Sequence, residues 1–110
     1  MEQKYTKRIA IGELNMARAK RKTNIRWMMR FIKEIIDGES DRLNFDLDFN
    51  YHLIQRYDKM YDEAPEAAEV FAERVGDLCD RTDEFSDDEL RDELMDAYEL
   101  IEDILNGVAY

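Results

Sequence analysis

The chain holds one histidine, His52, and one cysteine, Cys79. Nucleophilic catalysis needs a base beside its nucleophile, and these two fall on different expected helices. Cys79 lies near an apolar face, where a thiol is a packing residue. His52 lies at a helix edge, in a surface or capping role. A zinc centre needs several Cys or His ligands, and a di-iron bundle needs paired Glu-x-x-His motifs, of which this sequence has none. Asp46, Asp48 and Asn50 open like a calcium loop, but Tyr51 stands where that loop needs glycine and Tyr57 where it needs glutamate. The stretch from Asp80 to Arg91 fails at the same two positions, and there is no glycine-rich phosphate loop. These absences predict a chain with no catalytic residues, no metal ligands and no cofactor, one that acts by binding.

Carboxylates are what the chain has in abundance. Its 110 residues carry 27 Asp and Glu against 16 Lys and Arg, a net charge of −11. The layout is uneven. Residues 1–33 hold ten basic side chains against Glu2 and Glu13, a net of +8, and the other 77 residues hold six basic and 25 acidic, a net of −19. At about 100° per residue, Glu66, Glu69, Glu73, Asp77 and Asp80 gather on one side of an expected helix. Asp88, Asp92, Asp96, Glu99 and Asp103 gather on one side of the next. No lysine interrupts either stripe, and Arg74, Arg81 and Arg91 lie outside them. Like charges one turn apart destabilise a helix by a few tenths of a kcal/mol per pair, so a face kept only for solubility would mix Lys with Glu. Along each stripe the carboxylates recur at roughly 5–6 Å, comparable to the reach between neighbouring phosphates on a nucleic-acid strand. The stripes are expected to form a docking surface for a basic partner; the plainer reading is a solvated acidic face.

The basic end offers a second site. Arg18, Lys20, Arg21 and Lys22, with Arg26 and Arg30 one and two turns on, have the charge to grip phosphates. Trp27 and Phe31 share an edge of the same helix and have the faces to stack on bases. The simpler expectation is that this helix packs on the acidic remainder and that the two rings finish its core face, because aromatics at helical spacing usually belong to a core.

Helices must position all of these residues. Four Gly and one Pro are too few for a turn-rich β fold, while 45% apolar residues and twelve aromatics argue for a packed core. The expectation is a mostly α chain, a bundle of about four helices in one domain over residues 1–110, with a basic helical region at 1–37 and an acidic one at 48–106. The first helix is placed at Ile9 to Asp37, with Ile25, Met28, Met29, Ile32, Ile35 and Ile36 at helical spacing. The polar run 18–24 either projects as helix or bends it in two, with Thr23 as N-cap candidate. Gly38 and Gly107 read as helix stops. Residues 43–49 alternate apolar and polar, a strand period; 43–47 is read as extended, with Arg8–Ile11 as the one pairing partner, and a helix is started near Asp48. Pro65 suits the first position of the third helix, which runs to about Arg81. Ser86 and Glu89 form a capping box for the fourth, which runs to about Asn106.

A single cysteine excludes an intrachain disulfide, so a reducing cytoplasm suits the fold. No apolar run approaches the length of a membrane span or a signal-peptide core. In size and charge alone, the chain is similar to the small acidic helical anti-restriction and anti-CRISPR proteins of phages and plasmids. The functional expectation is a non-enzymatic inhibitor of that style, its acidic face mimicking nucleic acid on a nucleic-acid-handling protein. The alternatives are a small nucleic-acid-binding regulator using the basic helix, and a structural adaptor or homodimer joined through the apolar face of helix one.

Overall fold

The structure is a computed structural model that describes residues 22–107. Arg8–Ile11 and the basic Arg18, Lys20 and Arg21 therefore lie outside the described residues. The elements run α1 (Thr23–Ile36), α2 (Arg42–Glu63), α3 (Pro65–Glu69), a π-helical turn (Val70–Val75), α4 (Gly76–Asp80), a 3₁₀ turn (Thr82–Glu84) and α5 (Asp87–Leu105). No strand occurs among the described residues. The fold is the expected mostly α bundle, with α3, the π turn and α4 acting as one rod. None of its helices is long and apolar enough to cross a membrane, among the described residues.

α1 buries the six apolar residues that its spacing brings to one face, Ile25, Met28, Met29, Ile32, Ile35 and Ile36. Its first helical residue is Thr23, within the polar stretch. Lys22 sits at φ 63°, in the left-handed region that non-glycine residues seldom occupy, so the helix starts at Thr23. No side chain of its own cap closes that start; Glu63 of α2 does so instead. At the far end Gly38 takes φ 79°, and the Glu39 and Gly38 N–H groups donate to the Glu34 and Ile35 carbonyls at 2.8 and 3.2 Å. Those two bonds are a Schellman closure, which is why glycine stands there.

The strand reading of 43–49 is overturned, and α2 starts at Arg42, six residues before the expected start near Asp48. Phe45 and Phe49 are fully buried while Leu43 and Leu47 are 56% and 67% exposed. The alternation is thus two helical faces, each read at a spacing of four. A helix satisfies its own backbone groups, whereas an extended segment here would need a neighbouring strand. Asp41 fixes the start by accepting the Asn44 N–H at 3.1 Å.

Pro65 occupies the first turn of the rod as its missing N–H allows. Ala67, Ala68, Phe71, Val75, Leu78 and Cys79 face the core. The Val70–Val75 turn is underwound, so the residues beyond it are rotated relative to those before it. α5 opens on the expected capping box: Ser86 accepts the Glu89 N–H at 3.1 Å and the Ser86 N–H donates to Glu89 at 2.9 Å. Its Leu90, Leu94, Ala97 and Ile101 complete the core, and Gly107 at φ 80° ends it.

The two ends of α2 are tied to the rest by polar contacts. At its first turn the Arg42 guanidinium donates to the Thr82 carbonyl and pairs with Asp87 at 2.9 Å. The Thr82 hydroxyl donates to Asp46 at 2.9 Å. Thr82 is the buried polar residue of the core, and this bond satisfies its hydroxyl. At the last turn Glu63 reaches α1.

Candidate binding surfaces

Nine of the ten stripe carboxylates are exposed, and Asp103 is half-buried. The rod and α5 lie side by side, and the near half of the first stripe borders the groove between them. Glu66, Glu69, Glu73 and Arg74 line it with Val70, Leu100 and Ile104. On α5, Asp96 and Asp103 flank Leu100 at i−4 and i+3, the positions that share a helix edge. Three carboxylates and Arg74 on the rod thus border a groove of about 320 Å³, to which α5 contributes the apolar Leu100 and Ile104.

The far halves of the stripes are different. Asp77 accepts two bonds from the Arg81 guanidinium, at 3.1 and 2.7 Å, and the same guanidinium pairs with Glu84 at 2.8 Å. The hydrogen bond from Arg81 holds the Asp77 carboxyl below its ordinary range, and Asp77 and Glu84 raise Arg81 in return. Asp88 pairs with Arg91 at 2.9 Å. The π turn separates Asp77 and Asp80 from Glu66 and Glu69, which a uniform 100° per residue had put in line. Two arginines that flank the stripes in sequence thus neutralise one carboxylate of each. Glu66, Glu69, Glu73, Asp80, Asp92, Asp96 and Glu99 enter no ion pair among the described residues. Their field is felt nearby: burial raises the Tyr57 phenol above its ordinary value first, and Glu69 and Glu73 raise it further.

Of the alternative basic site, Lys22 is half-buried at the left-handed turn and Arg26 and Arg30 are exposed on α1. The rings beside them are packed. Trp27 stacks with Phe31 at 6.1 Å, both meet His52 edge-on at 4.8 and 5.3 Å, and Arg56 covers Trp27 at 3.8 Å. The apolar face of α1 that a dimer would use is buried within the protomer, with Met29 4% exposed. His52 is accordingly a ring in an aromatic cluster between α1 and α2.

Cys79 is a packing residue, as expected. It is buried, its thiol donates to the Phe45 carbonyl at 3.6 Å, and Asn50 donates to its sulfur at 3.8 Å. Burial, then the charges of Asp46 and Asp80, pushes its pKa up to about 11, which suppresses the reactive thiolate. No group of three or more His, Cys, Asp or Glu is placed to hold a metal ion among the described residues.

Sequence reading missed the row of exposed apolar residues on α2: Leu43, Leu47, Tyr51, Ile54 and Tyr61 are 46–77% exposed. Their spacing was the available signal, hidden by reading 43–49 as a strand. No protein-family model, curated protein or solved structure matches the chain.

Proposed function

We propose that this chain is a non-enzymatic binding protein whose acidic groove, between the rod and α5, docks a basic surface of a nucleic-acid-handling protein and competes there with nucleic acid. The observation that carries the reading is the groove itself: Glu66, Glu69 and Glu73 border an apolar floor of Val70, Leu100 and Ile104. Carboxylates alone would steer a basic partner by long-range attraction that salt screens. An apolar floor between them adds area that excludes water, which is what turns attraction into a docked complex. The fit is to a basic partner with an apolar ridge, such as the positively charged track that follows a nucleic-acid backbone. A partner of that kind sits in the cytoplasm or nucleoid, and the chain would act there as an inhibitor of the anti-restriction or anti-CRISPR style.

The test uses the full chain as bait in a lysate. Captured proteins are expected to be basic and nucleic-acid-binding, to elute with moderate salt, and to be displaced by added duplex or single-stranded DNA. Captured proteins that resist both salt and DNA would overturn the reading.

A further inference from the structure

α2 is apolar on two sides. Phe45, Phe49 and Met60 are fully buried in the bundle, while Leu43, Leu47, Tyr51, Ile54 and Tyr61 stand exposed among the described residues. At 100° per residue the exposed five fall within about 80° of arc, opposite the buried three. The row is about 27 Å long at 1.5 Å per residue, and it shares no residue with the groove between the rod and α5. A contiguous row of large apolar groups on a protein surface marks a place where something binds.

The spacing says what shape fits. From Leu47 onward the positions Leu47, Tyr51, Ile54, Asp58 and Tyr61 keep the four-and-three spacing of a seam between two helices. A straight ridge of that kind, held for about four turns, matches the apolar stripe of another amphipathic helix.

Charge says what kind of helix. Asp58 stands in the seam itself and Asp48 and Asp62 border it, all three exposed. Asp48 and Asp58 enter no ion pair among the described residues. The cations of α2 are directed elsewhere. Arg42 pairs with Asp87 and Arg56 covers Trp27. Lys59 follows Asp58 by one residue, so it lies about 100° round the helix from it. A carboxylate covered by a docked helix needs a cation from that helix, because an unpaired buried charge is costly.

We propose that the outward face of α2 docks a basic amphipathic helix of a partner protein, with a Lys or Arg of that helix meeting Asp58. A second copy of this chain does not fit. α2 set parallel on α2 brings Asp58 against Asp58. Set antiparallel, it brings Asp58 against Leu47 or Ile54, where the carboxylate finds no cation. One polar position in an apolar seam thereby selects both partner and register.

The probe is a labelled synthetic helix of about 18 residues, the length of the row at 1.5 Å per residue. It carries Leu at four-and-three spacing, one Arg in the seam and Lys on both flanks. Fluorescence anisotropy reads its binding to the full chain. It is expected to bind at least about tenfold more tightly than the same peptide with Glu for every Arg and Lys. Asp58→Lys is expected to weaken it by about tenfold or more. A peptide with Glu at the seam position alone should recover most of that loss, which a merely structural role of Asp58 does not produce. The groove variant Glu66→Lys, Glu69→Lys and Glu73→Lys is expected to bind the probe within about threefold of the parent at moderate salt, where distant charges are screened. No binding, equal binding of the basic and acidic peptides, or a loss in the groove variant with none in Asp58→Lys overturns the proposal. Ile54→Cys reports whether the face is free. Its thiol is expected to react with a disulfide reagent within about tenfold of its rate in urea. Slower reaction than that means the chain itself or a second copy already covers the row, and overturns the proposal.

Discussion

The carboxylate of Glu63 caps a helix whose second residue, Asn24, lies 39 positions earlier, accepting the Asn24 backbone N–H at 2.9 and 3.0 Å through both oxygens. It also accepts the Asn24 side-chain amide at 2.8 Å and the Ile25 N–H at 2.9 Å. Asn24 in turn accepts a bond from Arg56 at 3.0 Å. A helix start leaves several N–H groups without partners and carries partial positive charge, so an anion placed there satisfies both needs. The acidic end of α2 thereby locks the basic end of α1.

Glu63→Ala is expected to lower the unfolding free energy by about 2 kcal/mol, the upper range for losing a helix cap. Glu63→Gln, which keeps one acceptor oxygen and loses the charge, is expected to fall between that variant and the parent. Urea midpoints measured at constant slope check both. An unchanged midpoint in the alanine variant would remove the cap from the account.

Phe45 and Leu47 separate the helical from the extended reading of α2. Phe45→Ala removes a fully buried ring and is expected to cost about 3–5 kcal/mol. Leu47→Ala, at a side chain 67% exposed in the described fold, is expected to stay within about 1 kcal/mol. A strand would set both residues on one face, and equal losses in urea melts would support it.

The Cys79 thiol, with its pKa pushed from the ordinary 9.0 to about 11, is expected to resist labelling. Two pKa units leave about a hundredfold less thiolate, and burial slows attack further. A colorimetric disulfide reagent at pH 8 should react with the folded chain at least about a hundred times more slowly than with the urea-unfolded chain. The same shift sets a pH dependence. The unfolded chain loses its thiol proton first, so the stability held by the neutral buried thiol is intact below about pH 9 and falls as pH rises toward about 11. Cys79→Ala should flatten that alkaline loss in urea melts taken across the window.

The parts of the fold that were legible in the sequence are those fixed by local chemistry. Pro65, the Ser86 and Glu89 pair, Gly38 and Gly107 each act on the backbone within a few residues, and each stands where its chemistry placed it. The core face of α1 followed from spacing alone. What escaped depends on distant residues. Glu63 caps α1 across 39 positions, and nothing near Thr23 announces it. In residues 43–49 a period of two and two interleaved periods of four look alike over seven residues, and only the burial of Phe45 and Phe49 with the exposure of Leu43 and Leu47 separates them. The stripes were legible as helix faces, but the π turn that divides the first, and the pairing of Asp77 with Arg81 and Asp88 with Arg91, come from backbone winding and side-chain reach.

We propose the acidic groove as the docking surface, and binding by variants of its rim tests that role. The most direct measurement is binding of the captured partner to the triple variant Glu66→Lys, Glu69→Lys and Glu73→Lys, whose three positions line the groove, beside the parent chain, at low and moderate salt. Affinity is expected to fall by on the order of a hundredfold or more, because like charges across an interface cost several kcal/mol, with the helical circular dichroism unchanged. Undiminished binding by a folded triple variant would contradict it.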